Sequence, residues 1–215
     1  QNRKLTVVKG DLSNLITEIG LRYKELNRNE KVKFHIHVQP LNHKLYFDTD
    51  IISTILNNLL SNAIKYTPEG EIRLIMRPIV EEENKYTEIV VSDTGYGIDA
   101  EALPHIFDRY YQVKGKHQAS GTGIGLALVK SLADLHEGSL RVESETGKGT
   151  TFTFRIFTEN TYPDALHKEE KAESIPERPE NLKEEDNDIL PVILIVEDND
   201  DIREYIATSF SNNYH

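Results

Sequence analysis

Apolar side chains recur with a helical period in three stretches of the chain. They predict a helix over about residues 12–29, a second helix that Thr49 or Asp50 could cap, and a third over about 124–136 with Gly138 as its stop. The apolar stripe of the second helix is wide enough to lie fully on a sheet. The three helices are therefore expected to form one layer of the fold.

Strict alternation of apolar and polar residues predicts strands between and after these helices. The predicted strands are residues 32–38, 45–47, 72–76, 86–92, 140–143 and 151–157. Successive strands joined by short polar turns form antiparallel hairpins, and the alternation leaves one face buried and the other in water. We therefore predict an α/β fold, a two-layer α/β sandwich with a mostly antiparallel mixed sheet and helices on one face.

The charge of the chain is unevenly distributed. The 215 residues carry a formal net charge of -11, of which -7 lies in residues 159–190 and -4 in residues 191–215. Residues 1–158 are therefore neutral, which argues against the capture of nucleic acid by a basic field. The acidic stretch has three prolines and little apolar periodicity, so it predicts a flexible linker.

Composition and length set further limits. Because the chain has no cysteine, disulfides and thiolate metal sites are excluded. No apolar run approaches the roughly 18 residues that span a bilayer, so we expect no membrane contact in this piece. The chain begins without Met and ends in mid-pattern, and we expect it to be a fragment. Its expected parts are a connection (1–11), a main domain (12–158), the linker (159–190) and the start of another domain (191–215).

A polar motif lies on the predicted second helix. Asn58 and Asn62 are four residues apart and share one face of the helix, and Lys65 and Tyr66 follow one turn later. An amide oxygen is a good ligand for a hard cation, and a lysine supplies a charge for phosphate. Taken alone, the motif is more typical of the solvated side of an amphipathic helix.

Two glycine-rich motifs follow the helix. Asp93-Thr94-Gly95-Tyr96-Gly97 closes a strand, and Gly121-Thr122-Gly123-Ile124-Gly125-Leu126 opens the third helix, where free amides form an anion site. The second of these motifs fits neither a P-loop nor a Rossmann fingerprint. Each could also be an ordinary loop when considered alone.

The order of these motifs resembles a known family. Asn-x-x-x-Asn, Asp-x-Gly-x-Gly, Phe107-Asp108-Arg109-Tyr110-Tyr111 and Gly-x-Gly-x-Gly succeed one another within residues 12–158. This arrangement resembles the ATP-binding catalytic domain of sensor histidine kinases, in the superfamily shared with DNA gyrase, the mismatch-repair ATPases and a heat-shock chaperone. The resemblance implies the Bergerat-type ATP-binding fold, with ATP and Mg²⁺ as ligands.

The resemblance also implies a role for each residue that matches a family motif. Asn62 would coordinate Mg²⁺, Asn58 and Lys65 would contact phosphate, and Tyr66 would flank the adenine. Asp93 would accept a hydrogen bond from the adenine amine, which selects adenine because guanine offers a carbonyl there. Phe107 would anchor a mobile lid over residues 108–120, and Arg109 would contact phosphate. The other implied nucleotide-binding residues are Gly95, Gly97, Ile98, Gly121, Thr122, Gly123, Gly125 and Leu126.

The residue at position 58 bears on the reaction. Hydrolytic members of the superfamily carry a glutamate there as general base, and the amide of Asn58 cannot accept a proton at any useful pH. The resemblance therefore implies a protein-histidine kinase whose acceptor histidine lies on a separate dimerisation domain. No His-Glu/Asp-Pro acceptor motif occurs here, since His136-Glu137 precedes Gly138 and is interpreted as a helix C-cap. We expect the fragment alone to be inactive in autophosphorylation.

The alternative function is a nucleotide-binding sensor or scaffold that binds ATP without productive transfer of phosphate.

The last residues suggest a second module. The apolar run 191–196 followed by Glu197 and Asp198 resembles the first strand and acidic pair of a receiver domain, and such carboxylates can hold Mg²⁺. A kinase joined to a receiver implies a hybrid two-component sensor, with its own histidine domain and receiver as partners. By the same resemblance the piece is expected to lie in the cytoplasm, as a monomer, and its parent to be a homodimer anchored in the bacterial inner membrane.

Overall fold

The computed structural model describes residues 4–112 and 122–168. The secondary structure elements in this part of the chain are β1 (Thr6–Gly10), α1 (Leu12–Leu26), β2 (Val32–Val38), β3 (Leu45–Phe47), α2 (Thr49–Tyr66), β4 (Gly70–Glu81), β5 (Asn84–Asp93), a short 3-10 helix (Leu103–His105), α3 (Gly125–Leu135), β6 (Ser139–Glu145), β7 (Gly149–Phe157) and β8 (Leu166–Lys168).

The larger sheet confirms the predicted sandwich. Its strands lie in the order β2-β4-β5-β7-β6, and all neighbours are antiparallel except the parallel pair β2 and β4. Inward side chains such as Leu74 and Phe154 are almost fully buried against residues of the helices such as Ile55. Alternation along the strands thus places the helices on one face, as expected from a sheet that is apolar on one side only.

Among the described residues, the opposite face of this sheet carries a row of charged side chains. Glu88 at its centre is 2% exposed, and its two carboxylate oxygens accept hydrogen bonds from Arg77 and Arg155. Burial on its own would raise the pKa of Glu88, but these hydrogen bonds outweigh it and lower the pKa. The buried carboxylate is therefore ionised and paired.

Aspartates cap the first two helices. Asp11 accepts a hydrogen bond from Asn14 N–H (3.1 Å) at the start of α1, and Asp48 accepts one from Ile51 N–H (3.0 Å) at the start of α2. The predicted caps of α2, Thr49 and Asp50, were wrong because helical hydrogen bonding already begins at position 49. The extended backbone that an N-cap needs therefore falls on Asp48.

A second, smaller sheet corrects both predicted domain boundaries. Its order is β3-β1-β8, so residues 6–10, assigned to a connection, and residues 166–168, assigned to a linker, both belong to the folded unit. Tyr162 precedes β8 and is 1% exposed. The acidic composition of 159–190 concealed this short apolar segment, because composition averages over a window longer than the segment itself.

We expect a chain that ends at residue 158 to be less stable than one that ends at residue 168. The shorter chain loses β8 and the buried ring of Tyr162, and removal of a buried aromatic side chain costs about 3–5 kcal/mol. Urea unfolding of the two chains would measure the difference. Equal unfolding midpoints would show that the segment contributes nothing to the fold.

Some predictions lie outside the described residues. These are Gly121 with most of the predicted lid, the rest of the linker, and the receiver segment with Glu197 and Asp198. Among the helices that the structure does describe, none has both the length and the apolar character that a membrane crossing requires.

Candidate functional site

The helix α2 carries one side of the site. Asn58 and Asn62 are half-buried on neighbouring turns, and Lys65 and Tyr66 form its last turn. The Lys65 ammonium lies 5.1 Å from the centre of the Tyr66 ring. The predicted spacing therefore places all four side chains along one rigid element.

Asn58 meets the start of α3. Its Nδ2 donates to the Thr54 carbonyl (2.8 Å), so the other end of the amide, Oδ1, is the atom that lies toward Gly125. A Cβ built on Gly125 would lie 2.7 Å from this oxygen, so only a glycine fits there without displacing Asn58. The amide motif and the last glycine motif, more than 60 residues apart in sequence, are thus in contact.

The first turn of α3 has no side-chain cap in the part of the chain that the structure describes. Within the described residues this turn also contains no acidic residue. The initial N–H groups of a helix need partners, and the helix dipole makes them attractive to anions. The contact with Asn58 sets this end of α3 directly against α2.

Asp93 lies at the other end of the site, where β5 ends. The residue is 9% exposed, and its Oδ1 accepts a hydrogen bond from the Gly95 N–H (2.9 Å). Burial raises the pKa of this carboxyl, and hydrogen bonds from the backbone of Gly95 and Thr150 oppose the increase. A buried carboxylate at the end of a strand, beside a loop that packs closely on the end of α2, is well suited to accept a hydrogen bond from a ligand.

The glycines after Asp93 allow this loop to pack closely. A Cβ on Gly95 would overlap the carbonyl oxygen of Tyr66 at the end of α2, and one on Gly97 would overlap that of Glu145. The Tyr96 N–H also donates to the Tyr66 carbonyl (3.1 Å). The loop is therefore fixed to the C-terminal end of α2.

A buried hydroxyl beside Asp93 was not predicted. Thr67 is 1% exposed, and its Oγ1 lies close to Gly95 and close enough to the Asp93 carboxylate to lower the pKa of that carboxyl, although it does not meet full hydrogen-bond geometry with any described residue. Buried polar atoms normally have a partner, so an incompletely satisfied hydroxyl here is the kind of group that a ligand completes. A threonine directly after a helix gave no signal of this role in the sequence.

The hairpin between β6 and β7 packs against the loop that follows Asp93. The sequence pattern predicted this segment only as a turn between two strands. The Ser144 hydroxyl accepts from Ile98 N–H (2.8 Å) and donates to the Gly149 carbonyl (2.8 Å). It also lies 2.9 Å from the hydroxyl of Thr150, which is the register partner of Asp93. The sequence offered one indication of this role. The turn before Thr150 contains two glycines, which is more than a hairpin requires.

The remaining predicted residues are distributed around the site. Phe107 packs edge-to-face on Phe152 with ring centres 6.5 Å apart, and Leu126 packs against the core. Arg109 and Thr122 are exposed, and the Gly123 carbonyl accepts from the Tyr110 N–H (2.8 Å). That hydrogen bond joins the two ends of the segment between Tyr110 and Gly123.

His136 is the C-cap residue of α3, as predicted, but its side chain has an environment that the sequence did not predict. Its backbone does end α3, but its side chain is fully buried and lies between Asp48 and Tyr162. The left-handed backbone that follows the helix falls on Glu137, which has a φ of 55°, and not on Gly138. The side-chain environment of His136 could not be predicted because its partners are 88 and 26 residues away in sequence.

The site thus has two ends, both held by α2. Asn58 contacts Gly125 at the start of α3, and Tyr66 and Thr67 contact the loop that carries Asp93. Eight residues of helix separate Asn58 from Tyr66, which corresponds to about 12 Å. Asn62 lies between them. An anion-accepting end and a hydrogen-bonding end at this separation match an elongated ligand with a polar ring at one end and negative charge at the other.

Known proteins show the same combination of sequence and fold. A family model described as histidine kinase-, DNA gyrase B-, and HSP90-like ATPase matches residues 47–160, more than half of the chain. The autoinducer 2 sensor kinase/phosphatase LuxQ of Vibrio vulnificus is 38% identical over 139 residues, which are 62% of this chain and 16% of that protein. The aerobic respiration control sensor protein ArcB of Escherichia coli is 38% identical over 164 residues, 74% of this chain and 19% of that protein.

A solved structure agrees with these relatives. The catalytic domain of the histidine kinase ThkA superposes with a TM-score of 0.59 at 25% identity, covering 73% of this chain and 97% of that one. The chain spans less than a fifth of the length of LuxQ and ArcB, so the similarity concerns one part of those proteins. On the family match and the shared fold, the chain belongs to the histidine kinase-, DNA gyrase B- and HSP90-like ATPases.

Proposed function

We propose that this chain is the ATP-binding catalytic unit of a sensor histidine kinase, which holds Mg·ATP and donates its γ-phosphoryl group to a histidine on another domain. The observation that supports this most directly is the position of α2, which contacts the first residue of α3, Gly125, at Asn58 and the Asp93 loop at Tyr66. One rigid helix thereby sets the distance between the two ends of a nucleotide.

The Asp93 end would bind the adenine. An ionised carboxylate accepts hydrogen bonds and donates none, so it suits the exocyclic amine of adenine and repels the carbonyl of guanine. The Thr67 hydroxyl, incompletely satisfied beside it, would complete its hydrogen bonding on the same ring or on a water. Gly95, Gly97 and Ile98 would let the backbone approach the ring, and Tyr66 would flank it.

The Asn58 end would bind the phosphates. The uncapped amides of α3 attract negative charge, and Asn58 and Lys65 would add a dipole and a charge. Asn62 presents the type of neutral oxygen that Mg²⁺ accepts as a ligand. Mg²⁺ bound there would neutralise charge on the phosphates. Thr122, Gly123, Gly125 and Leu126 would shape the phosphate pocket, and Gly121, Phe107 and Arg109 are proposed as further contacts.

Transfer to a histidine fits this site better than hydrolysis does. An amide at position 58 cannot take a proton from an attacking water, so the γ-phosphoryl group is preserved for another acceptor. In the proposed reaction a histidine nitrogen forms the new N–P bond, the bond between the γ-phosphorus and the β,γ-bridging oxygen breaks, and ADP leaves. Catalysis would consist mainly of positioning and charge neutralisation.

The wider assignment is proposed from the relatives, whose names describe sensor kinases. The partners would be a dimerisation domain that carries the acceptor histidine and a receiver that begins near Glu197 and Asp198. The parent would be a membrane-anchored homodimer with this unit on the cytoplasmic side, and the unit alone a monomer.

Calorimetric titration with a non-hydrolysable ATP analogue tests the binding proposal. We expect adenine-selective binding that Mg²⁺ strengthens, with GTP as the control ligand. Absence of binding in the presence and absence of Mg²⁺ would contradict the proposal.

The transfer step needs a second experiment. The chain and radiolabelled ATP would be mixed with a separately produced histidine domain of the same parent, and we expect label on that domain only when its histidine is intact. Binding without any transfer would favour the alternative of a nucleotide-binding sensor or scaffold. Rapid release of inorganic phosphate would instead favour a hydrolase.

A further inference from the structure

A buried hydrogen-bond network joins the C-terminal end of α3 to three distant parts of the chain. His136 Nε2 lies 3.0 Å from the Asp48 backbone nitrogen, and His136 Nδ1 lies 2.9 Å from the Tyr162 hydroxyl. Asp48 in turn accepts from Thr6 N–H (2.9 Å) and Ile51 N–H (3.0 Å) through its two carboxylate oxygens. The network therefore connects β1, the start of α2, the end of α3 and the segment before β8.

The donors in this network can be assigned from chemistry alone. A backbone N–H can only donate, so His136 Nε2 must accept from Asp48 and the ring proton of a neutral imidazole lies on Nδ1. The Nδ1–H then donates to the Tyr162 oxygen, and the Tyr162 hydroxyl donates to the His136 carbonyl (3.3 Å). Both ring nitrogens of His136 therefore have hydrogen-bond partners only when the ring is neutral and its proton lies on Nδ1.

Protonation of the ring would break this arrangement. A proton on Nε2 would face the Asp48 N–H, and two donors cannot hydrogen-bond to each other. The ring is fully buried, with the Phe154 ring edge-to-face at 6.4 Å, so no water can replace the lost partner without displacement of the helix end. The charged and titratable groups that face His136 are Asp48 from the start of α2, Tyr162 from the segment before β8, and Glu137 from the end of α3.

The electrostatic balance favours the neutral ring at neutral pH. Burial lowers the pKa of His136, although the charges of Asp48 and Glu137 act in the opposite direction. Burial likewise raises the pKa of Tyr162, so its hydroxyl keeps its proton. The Glu137 carboxylate is itself held by a hydrogen bond from Asn160 Nδ2 (2.9 Å).

The same helix carries the proposed phosphate site at its other end. α3 is 11 residues long, about 16 Å, and it begins at Gly125 against Asn58. A helix of this length behaves as a rigid rod, so release of the His136 end changes how the Gly125 end meets α2. Tyr162 lies beyond residues 47–160, the part of the chain that the family model matches.

We propose that His136 is a positioning residue for the nucleotide site, whose neutral ring docks the end of α3 on the start of α2, so that its protonation undocks the helix and weakens nucleotide binding in acid. This inference rests on the proposed function. The sign follows from linkage: a histidine whose proton affinity is reduced in the docked state favours that state fully above about pH 6.5 and progressively less below it.

The first test compares pH profiles of binding. Affinity for a non-hydrolysable ATP analogue with Mg²⁺ would be measured between about pH 5 and pH 8 for the wild type and for His136→Gln, whose side-chain oxygen can still accept from Asp48 N–H but cannot be protonated. Because protonation of the ligand and of Asp93 affects both proteins alike, their difference isolates His136. We expect the wild-type affinity to fall more steeply below about pH 6.5, by up to about tenfold per pH unit for one linked proton.

The second test does not depend on the variant being well folded. By reciprocity, a nucleotide that binds the docked state must lower the pH midpoint at which the His136 imidazole titrates, which NMR of the ring protons in the wild type would measure with and without the analogue. Parallel pH profiles, or a midpoint that nucleotide leaves unmoved, would overturn the inference. Loss of the wild-type circular dichroism signal over the same pH range would also overturn it, because global unfolding would then explain the effect. Failure of the proposed function is distinguishable, since it would appear as absent binding at neutral pH.

Discussion

Replacement of Asp93 by asparagine is expected to weaken ATP binding by about 10- to 100-fold, because a hydrogen bond to a charged group contributes about 1.5–3 kcal/mol. The carboxylate accepts from the Gly95 N–H and from the backbone of Thr150, and it is proposed to accept from the adenine amine as well. An asparagine has only one acceptor oxygen, and its NH₂ group must face one of these donors. Calorimetric titration with ATP would measure the loss.

The same variant should also lose selectivity. The asparagine NH₂ can donate to the guanine carbonyl that the carboxylate repels, so the preference for ATP over GTP is expected to decrease. Asp134→Asn on the exposed side of α3 is the matched control, because it removes the same charge far from the pocket. An unchanged preference for ATP in Asp93→Asn would refute the adenine assignment.

Stability must be checked alongside binding. Since burial raises the pKa of Asp93, its ionised form costs the folded state some stability as the pH rises through that pKa. Asparagine removes this cost while it loses one hydrogen bond, so the two effects offset each other. We therefore expect a cooperative thermal transition in the variant, which would show that the loss of affinity is not a loss of fold.

Replacement of Asn62 by alanine is expected to remove the effect of Mg²⁺ on ATP binding. The half-buried amide lies midway between the two ends of the site on α2, and alanine leaves no oxygen to coordinate the metal. The ratio of affinities measured with and without Mg²⁺ should fall to about one, whereas the wild type should show a clear increase with the metal. Titration of each protein with the same analogue, with and without EDTA, gives both ratios.

Asn57→Ala is the matched control for this experiment. Residue 57 belongs to the same helix but lies about 140° around its axis from Asn62, so its side chain points away from the proposed phosphates. The control should keep the wild-type dependence on Mg²⁺. A Mg²⁺ dependence in Asn62→Ala equal to that of the control would contradict the metal assignment.

The sandwich and the order of its motifs were readable from the sequence because both depend on local periodicity. The alternation in β4 and β5 and the wide stripe of α2 predicted the two layers, and the observed sheet confirms them. The spacing of Asn58 and Asn62 on one helix face followed from helix geometry alone. The roles of these residues in binding stay predictions until the titrations are made.

The elements that were missed share one physical cause. β1 and β8 are five and three residues long, too short for a periodic signal, and they are ordered by pairing with each other across more than 150 residues of chain. The places of Thr67 and Thr150 in the site were missed because each residue lies beside Asp93 or Gly95 only after distant segments of the chain have folded together. The true cap of α2 could be distinguished from its two neighbours only by the backbone conformation at Asp48.

The sequence by itself determined the class of the fold, the order of the nucleotide-site motifs and the family to which they point, because helical and strand periodicity and glycine placement are properties of adjacent residues. Only the tertiary structure decided that residues 6–10 and 166–168 belong to the folded unit, that Asn58 meets Gly125, and that His136 is buried between Asp48 and Tyr162. These features arise from contacts between residues far apart in the chain. Their free energy depends on burial and on donor-acceptor geometry, which no local pattern encodes.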